Sequence, residues 1–461
     1  MRFDGLTACA CLALGTGWLA LACNRTPSSR SDEKPGPSPA TSPGAPPAST
    51  PNAVPSAVPP AAGSAQKPLN VILLTVDSLR TDVPWQGYSR PIAPNLTKLA
   101  AESTVYTRAY AASSYTAKSV ATMLSGRFAS TLYRDGRFFA RYAPSNQFIA
   151  EILADAGART LAWHGHMYFG RKSGFEQGFH EWRLVPGIKF DAETDNDVTS
   201  DKMTELGTEL LGADANTGKR FFAWAHYMDP HDQYLKHAEA PDFGKKARDR
   251  YDSEIWFADH WIGKLLDFAR QKPWWNETAV IVTADHGEAF GEHDMYKHAF
   301  ELWEVLVRVP LFVYVPGAKA RTIEARRSHI DLAPTILELM GVPSPAGFQG
   351  RSLVPELHGT APDDREPILC ELAHDSHNPP RRALVNGAYK IIDFGRNRYE
   401  LYELTTDPGE TKDLAKSRPT EFASMKKLLE EKFAALPSVA PYGGGKLREG
   451  GRADGPDGPP K

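Results

Sequence analysis

AVIVTADHGEAFGEHD, residues 279–294, is the stretch around which this chain is read. Residues 279–283 are apolar or β-branched, as in a short buried strand, and the run stops at Ala284, Asp285, His286 and Gly287. In an open α/β sheet the carboxyl ends of the strands face the ligand crevice. A carboxylate and an imidazole delivered there side by side are placed to hold a metal ion. Gly287 lets the backbone turn close to whatever is bound. Taken alone, Asp-His-Gly reads equally well as a capped turn, so its weight depends on the rest of the chain.

A second run of the same kind lies upstream. LNVILLTV, residues 69–76, is apolar on both faces, which marks a central strand of a covered parallel sheet, and it ends at Asp77. PNLTKLAAES (94–103) reads as a helix started by Asn95 with Leu96 and Leu99 on one face. FIAEILADAGARTLAWHGH (148–166) gives a helix and then a strand, followed by His164 and His166. RFFAWAHYMDPHDQY (220–234) is a strand running into Asp229, Pro230 and His231, with His226 packed inside it. Apolar residues at helical spacing, Ile255, Ala258, Ile262, Leu265 and Leu266, make 251–269 an amphipathic helix whose Asp259 and His260 carry no chemistry. Alternating strands and helices place the chain in the α/β class.

With 461 residues and ~150 per domain, the chain has length for about three units and a large core. Lys plus Arg number 53 against 56 Asp plus Glu, so the net charge of -3 argues for neither nucleic acid nor an anionic membrane surface as partner. Cys9, Cys11 and Cys23 crowd the amino end, which leaves Cys370 as a buried small hydrophobe without a disulfide partner. Residues 5–22 follow Arg2 as an apolar stretch in the pattern of a secretory signal. LALACN (19–24) resembles a bacterial lipoprotein cleavage site, with Cys23 as the lipidated first residue; a plain cleaved signal and an uncleaved anchor are the alternatives. Residues 25–67, rich in Pro, Ser, Ala and Gly, bury too little surface to order and read as a tether extending ~3.1 Å per residue.

The specific resemblance sits in NVILLTVDSLR, PNLTKLAAE and TRAYAASSYTAKSVATMLSGR (107–127), which look like the opening of the sulfatase family within the alkaline phosphatase superfamily. In that family a nucleophile lies ten residues before the Gly of an "LSG" sequence, and counting back from Gly126 lands on Thr116. Sulfatases proper carry a Cys or Ser there, inside Cys-x-Pro-Ser-Arg, for conversion to formylglycine. Thr116, Ala117, Lys118, Ser119 and Val120 lack the modifiable residue, the Pro and the Arg. A Thr nucleophile resembles the lipoteichoic acid synthase and phosphodiesterase branches, in which the Thr oxygen is itself a metal ligand. An N-cap Thr without chemistry, or Ser113 or Ser114 as nucleophile, are the competing readings. The likeness continues through Asp-Pro-His at 229–231, MYKHAFELWEVLVRVPLFVYVPG and LYELTTDPGETKDLA (401–415), and covers about residues 69–435.

The resemblance implies an α/β fold: a large, mixed, mostly parallel sheet sandwiched by helices, with a small C-terminal antiparallel subdomain. The expected organisation is a signal peptide at 1–23, a disordered tether at 24–67, a catalytic domain at 68–345, the C-terminal subdomain at 346–436 and a disordered tail at 437–461. It also implies one divalent metal ion held by Asp77, Thr116, Asp285 and His286. Oxygen-rich ligation suits calcium, magnesium or manganese, and His286 tilts the choice toward manganese or zinc. Asp229, His231 and His298 are candidates for a second metal. Lys297 and His166 are candidates to bind the transferred group, with a solvated loop histidine as the plainer reading of His166. His298, with His231 as rival, would be general acid.

The implied activity is hydrolysis of a sulfate or phosphate ester, on a small molecule, a glycan or a lipid, through a covalent Thr116 ester. The alternatives are an envelope transferase of phospho- or phosphoglycerol-type groups and an inactive binding protein on a sulfatase fold. The expected location is the bacterial cell envelope, with the lipid anchor the one membrane contact.

Overall fold

The computed structural model describes residues 67–442, apart from positions 171, 189–197, 232 and 365–366. The expected signal peptide, the tether up to residue 66 and the tail beyond Tyr442 lie outside the described residues.

Among the described residues, nine strands form the main sheet: β1 (Asn70–Val76), β2 (Thr104–Tyr110), β3 (Arg159–His164), β4 (Glu181–Leu184), β5 (Phe221–Tyr227), β6 (Thr278–Ala284), β9 (Arg308–Tyr314), β10 (Arg321–Ile323) and β11 (Arg327–Ser328). Between β6 and β9 the chain makes a small separate hairpin of β7 (Ala289–Phe290) and β8 (Tyr296–Lys297). The strand order is β10-β2-β9-β6-β1-β5-β3-β4, with β11 beside β2. All pairings are parallel except those of β9, which runs antiparallel to β2 and β6. The sheet is thus mixed and mostly parallel, as the sequence implies. Every residue of β1, β5 and β6 is buried, which requires cover on both faces and explains their unbroken apolar runs.

Register decides where the site forms. Val76 of β1 pairs with both Tyr227 of β5 and Ala284 of β6. Three central strands therefore end level, and the residues that follow, Asp77, Met228 and Asp285, emerge at one rim of the sheet. A helix, Thr116–Ser125, comes to the same rim with all ten residues buried; Gly126 closes it in the left-handed region at φ 62°.

The first helix runs Pro94–Ala101, and its start differs from the expected Asn95 cap. Asp259, on the long helix Ala247–Arg270, accepts the backbone N–H groups of Asn95 at 2.9 Å and Leu96 at 2.7 Å. The cap thus comes from a distant element, and burial pushes its carboxyl up to about 6.

A second sheet of antiparallel strands, β12 (Ile368–Leu372), β13 (Arg381–Asn386), β14 (Tyr389–Asp393) and β15 (Tyr399–Glu403), packs with the helix Pro419–Ala434 through Leu384, Ile391, Leu401, Leu429 and Phe433. This is the small antiparallel subdomain. Cys370 lies buried in β12, and burial pushes its thiol up to about 12, so it packs rather than reacts. Order extends beyond the expected boundary at 436: Val439 N–H donates to Ser130 at 2.7 Å and Tyr442 N–H to Arg134 at 3.0 Å. No helix among the described residues is long and apolar enough to cross a membrane.

Candidate active site

Strand-end geometry brings Asp77, Thr116, Asp285 and His286 together, and all four are buried. The Thr116 hydroxyl lies 3.0 Å from His286 Nε2, which is also 3.3 Å from Asp285 Oδ2 and 3.8 Å from Asp77 Oδ1. One imidazole nitrogen is therefore the meeting point of three side-chain oxygens. Nδ1 of the same ring sits 2.9 Å from the Gly287 carbonyl, so Nδ1 carries the proton and the Nε2 lone pair faces the cluster. Burial holds His286 below the ordinary imidazole range despite the pull of Asp285, which keeps that lone pair available.

Gly287 is required here by packing. A Cβ at this position would meet the Val305 carbonyl oxygen at 2.1 Å, so the turn closes only without a side chain. Ser78, in the left-handed region at φ 56°, donates its N–H to Asp285 Oδ1 at 3.1 Å and its hydroxyl to Asp77 Oδ1 at 2.8 Å. Ser119, one turn into the helix from Thr116, donates to the Asp285 carbonyl at 2.6 Å. The helix that opens at Thr116 is in this way tied to the end of β6.

Chemistry of the donor set fits a divalent cation. Ligand atoms of Asp77, Asp285 and His286 lie within 4.8 Å of one another, and among the described residues no other group does the same. Asp285 Oδ2 is buried and accepts no hydrogen bond, an arrangement that is costly unless a cation meets the oxygen. Burial would raise Asp77, yet His231, the hydrogen bond from His226 and His286 hold its carboxyl well below the usual range, so it is an anion in a dry site.

His226, read from the sequence as merely packed, is the strongest support of this set. Its Nε2 lies 3.1 Å from Asp77 Oδ2, its Nδ1 lies 2.8 Å from the Thr75 hydroxyl, and Trp224 Nε1 donates to that hydroxyl at 3.0 Å. The chain Trp224, Thr75, His226 fixes the rotamer of Asp77 in the way outer partners orient metal ligands. Its one trace in the sequence is a histidine inside a strand, which the register sets level with Thr75.

His298 lies with its ring 4.2 Å from that of His286, and Glu288 Oε1 is 3.1 Å from its Nδ1. Burial lowers its affinity for a proton, but Glu288, Asp77 and Asp285 outweigh this and push His298 up to about 9. Sequence reasoning passed over Glu288, two residues beyond His286 in the opening stretch. The His231 ring is 5.0 Å from His298 and 5.9 Å from His166, so three imidazoles line up beside the cluster. His166 is half-buried rather than a freely solvated loop residue: its Nδ1 accepts the Tyr168 N–H at 2.9 Å, and burial, then His231, lowers it to about 3. Lys297 lies exposed on β8 beside His298, in the left-handed region at φ 66°.

Asp229 departs from the second-metal expectation. It accepts from Thr199 N–H at 2.6 Å, the Thr199 hydroxyl at 2.7 Å and Ser200 N–H at 2.8 Å, capping the helix Ser200–Gly212. Lys118, which stands in the nucleophile motif, is fully buried and ion-paired with Asp375 in the loop after β12. Burial lowers the Lys118 ammonium and Asp375 opposes it.

The family model described as Sulfatase matches residues 69–342, and that described as N-sulphoglucosamine sulphohydrolase, C-terminal, matches residues 291–438. The chain is 26% identical to the choline-sulfatase of Rhizobium meliloti over 200 residues, 41% of this chain and 38% of that protein. It is 23% identical to the uncharacterized sulfatase YidJ of Escherichia coli over 417 residues, 75% of this chain and 82% of that one. The alignable part thus spans well under half of the first relative and about four fifths of the second. Among solved structures, the phosphonate monoester hydrolase of Agrobacterium radiobacter shares the fold at TM-score 0.64 and 18% identity, over 80% of this chain and 95% of that one.

Proposed function

The chain belongs to the sulfatase family of ester hydrolases, and from that premise we propose that it hydrolyses a sulfate or phosphate ester with Thr116 as nucleophile. The observation that carries this reading is the convergence of the Thr116 hydroxyl, Asp285, Asp77 and the His286 lone pair, with one buried carboxylate oxygen left unpaired.

Asp77, Thr116, Asp285 and His286 would hold one divalent cation, with calcium, manganese or magnesium favoured by the oxygens and zinc also suited to the imidazole. Such an ion, when bound, supplies positive charge that stabilises the deprotonated Thr oxygen and the oxygens of the transferred group. With the site loaded, the Thr116 hydroxyl has released its proton to solvent, and its oxygen forms a bond to sulfur or phosphorus as the bond to the leaving oxygen breaks. Protonated His298, held by Glu288, gives its Nε2 proton to that leaving oxygen. His231 and His166 bound the space that the non-bridging oxygens enter. Water then displaces Thr116 in the reverse sense, returning its proton to the now neutral His298. A Thr ester has no hydrate to collapse, so this second displacement is obligatory.

Assay of the purified chain on nitrophenyl sulfate, phosphate and phosphodiester with each metal tests the reading. Rapid quench followed by intact-mass measurement should show a Thr116 adduct of sulfate or phosphate mass. A chain that turns over ester while no adduct forms under any condition would falsify the covalent route. The lipoprotein-type amino end would place this chemistry at a bacterial envelope, which labelling of Cys23 by a fatty-acid probe in cells would test.

A further inference from the structure

Ser78, the residue after Asp77, is fully buried and stands in the left-handed region at φ 56°, where a residue with a Cβ stays only if its surroundings hold it. From there its N–H reaches Asp285 Oδ1 and its hydroxyl reaches Asp77 Oδ1. One strained residue thus touches both carboxylates proposed to hold the cation, and its backbone sets where their oxygens point. The same turn extends to Arg80, whose Nη1 donates at 2.6 Å to the carbonyl of Glu288, the residue that holds His298.

What holds this turn comes from another element. Tyr251, near the start of the helix Ala247–Arg270, donates its hydroxyl to the Ser78 carbonyl at 2.7 Å and accepts the Arg80 N–H at 2.9 Å. A single phenol oxygen therefore closes the turn at both ends, and rotation of φ at Ser78 would swing its carbonyl off that oxygen. The ring is fixed in turn. It is fully buried, with Phe290 and Tyr234 at 5.0 and 5.6 Å between ring centres and the Arg248 guanidinium 5.2 Å from its own centre. Burial, opposed by Arg248, raises the phenol above its ordinary range, so it keeps the proton that it donates. Periodicity makes Tyr251 only the first residue of an amphipathic stretch, and its hydroxyl is what that pattern does not explain.

We propose that Tyr251 is a positioning residue: its hydroxyl clamps Ser78 in the left-handed conformation and, through Ser78, aims Asp77 and Asp285 at the cation. It touches neither cation nor ester and acts two bonds removed, as an outer partner of the ligands' own partner. The inference rests on the reading of Asp77 and Asp285 as cation ligands, and its test reports the two separately and without turnover.

Tyr251→Phe deletes one oxygen and keeps the ring. Calorimetry of manganese binding to the full chain should show its Kd rising about tenfold, the lower end of what loss of an outer partner costs a metal site. The electron paramagnetic resonance spectrum of the bound manganese should change with it as the carboxylates turn. Ser78→Gly supplies a residue that takes positive φ freely and keeps the N–H to Asp285. Placed on that background, Tyr251→Phe should shift Kd by no more than about twofold, because a glycine turn no longer needs the clamp. A Tyr251 that only packs would lower Tm alike in both backgrounds. Wild-type Kd and spectrum in Tyr251→Phe, or a loss of affinity that is equal in the two backgrounds, overturns the proposal. A wild-type chain that binds no divalent cation removes the cation reading and this proposal together, a result distinct from wild-type binding that Tyr251→Phe leaves untouched.

Discussion

The ends of β1 and β6 and the hairpin between β6 and β9 border the same rim, yet they are built on opposite plans. At the strand ends Asp77, Asp285 and His286 are wholly buried, and their backbones are locked in a parallel register. On the hairpin, Tyr296 and Lys297 are exposed, and His293, Asp294, Lys297 and Ala299 all take positive φ. A reacting constellation must be held within fractions of an ångström, which rigid strands provide; recognition of a varied substrate tolerates, and uses, an exposed loop. His298 joins the two plans. It sits on the hairpin arm, but Glu288, at the end of the rigid stretch, holds its ring.

The sharpest break of this comparison is Thr116→Ala. It removes one oxygen from the rigid side and should lower kcat by at least ~10³-fold, as loss of a covalent nucleophile does, with the fold and Tm unchanged. Wild-type rates from this variant would move the nucleophile elsewhere.

Removal of an outer support comes next. His226→Ala leaves Asp77 Oδ2 without its partner, so metal affinity measured by calorimetry should fall by roughly 10–100-fold. His226→Gln, which keeps a donor, should recover part of it. A histidine that is only packed would change Tm and leave metal affinity alone.

Lys118→Met tests whether the C-terminal sheet helps fix the helix that opens at Thr116. Breaking a buried ion pair from one side leaves Asp375 without its counter-charge and should cost about 3–5 kcal/mol in denaturant unfolding, while Lys118→Met/Asp375→Asn, which keeps an acceptor for the His377 and Asn378 N–H groups, should regain most of it. Equal loss in single and double variants would show that packing, not charge, is what matters there.

The smallest effect belongs to the chain around Leu235, after β5. Glu254 accepts the Leu235 N–H at 2.6 Å and lies 2.7 Å from His237 Nε2, pinning the chain there to the helix Ala247–Arg270. Burial pushes Glu254 up to about 7 against the pull of His237, with Asp229 adding to the rise. His237 is raised as well: burial lowers it, but the hydrogen bond to Glu254 and the charges of Glu254, Asp229 and Glu239 outweigh that. Both folded-state values lie above the unfolded ones, near 4.3 and 6.5, so this stability is complete in acid and is lost as pH rises through about 7. The wild-type Tm should therefore fall by roughly 2–4 °C across that window, and Glu254→Gln should flatten the slope.

Much of this was legible in the chain because burial on both faces writes itself into local composition. The runs before Asp77 and Asp285 announced central parallel strands, and the helix opening at Thr116 starts where its motif said. Partnerships were another matter. Asp259 and Asp229 both looked spare or reactive, and each caps a helix that starts in another part of the chain.

From the sequence alone come the α/β class, the strand ends that deliver Asp77, Asp285 and His286, the hydroxyl at Thr116, and the absence of a formylglycine motif. Periodicity and apolar runs are local, and one strand's worth of residues is enough to read them. Only the tertiary structure decided that Lys118 pairs with Asp375, that His226 holds Asp77, and that Glu288 holds His298. Those pairings follow from which strands lie side by side and in what register. That is fixed by the packing of the whole core, not by the few residues that flank each charge.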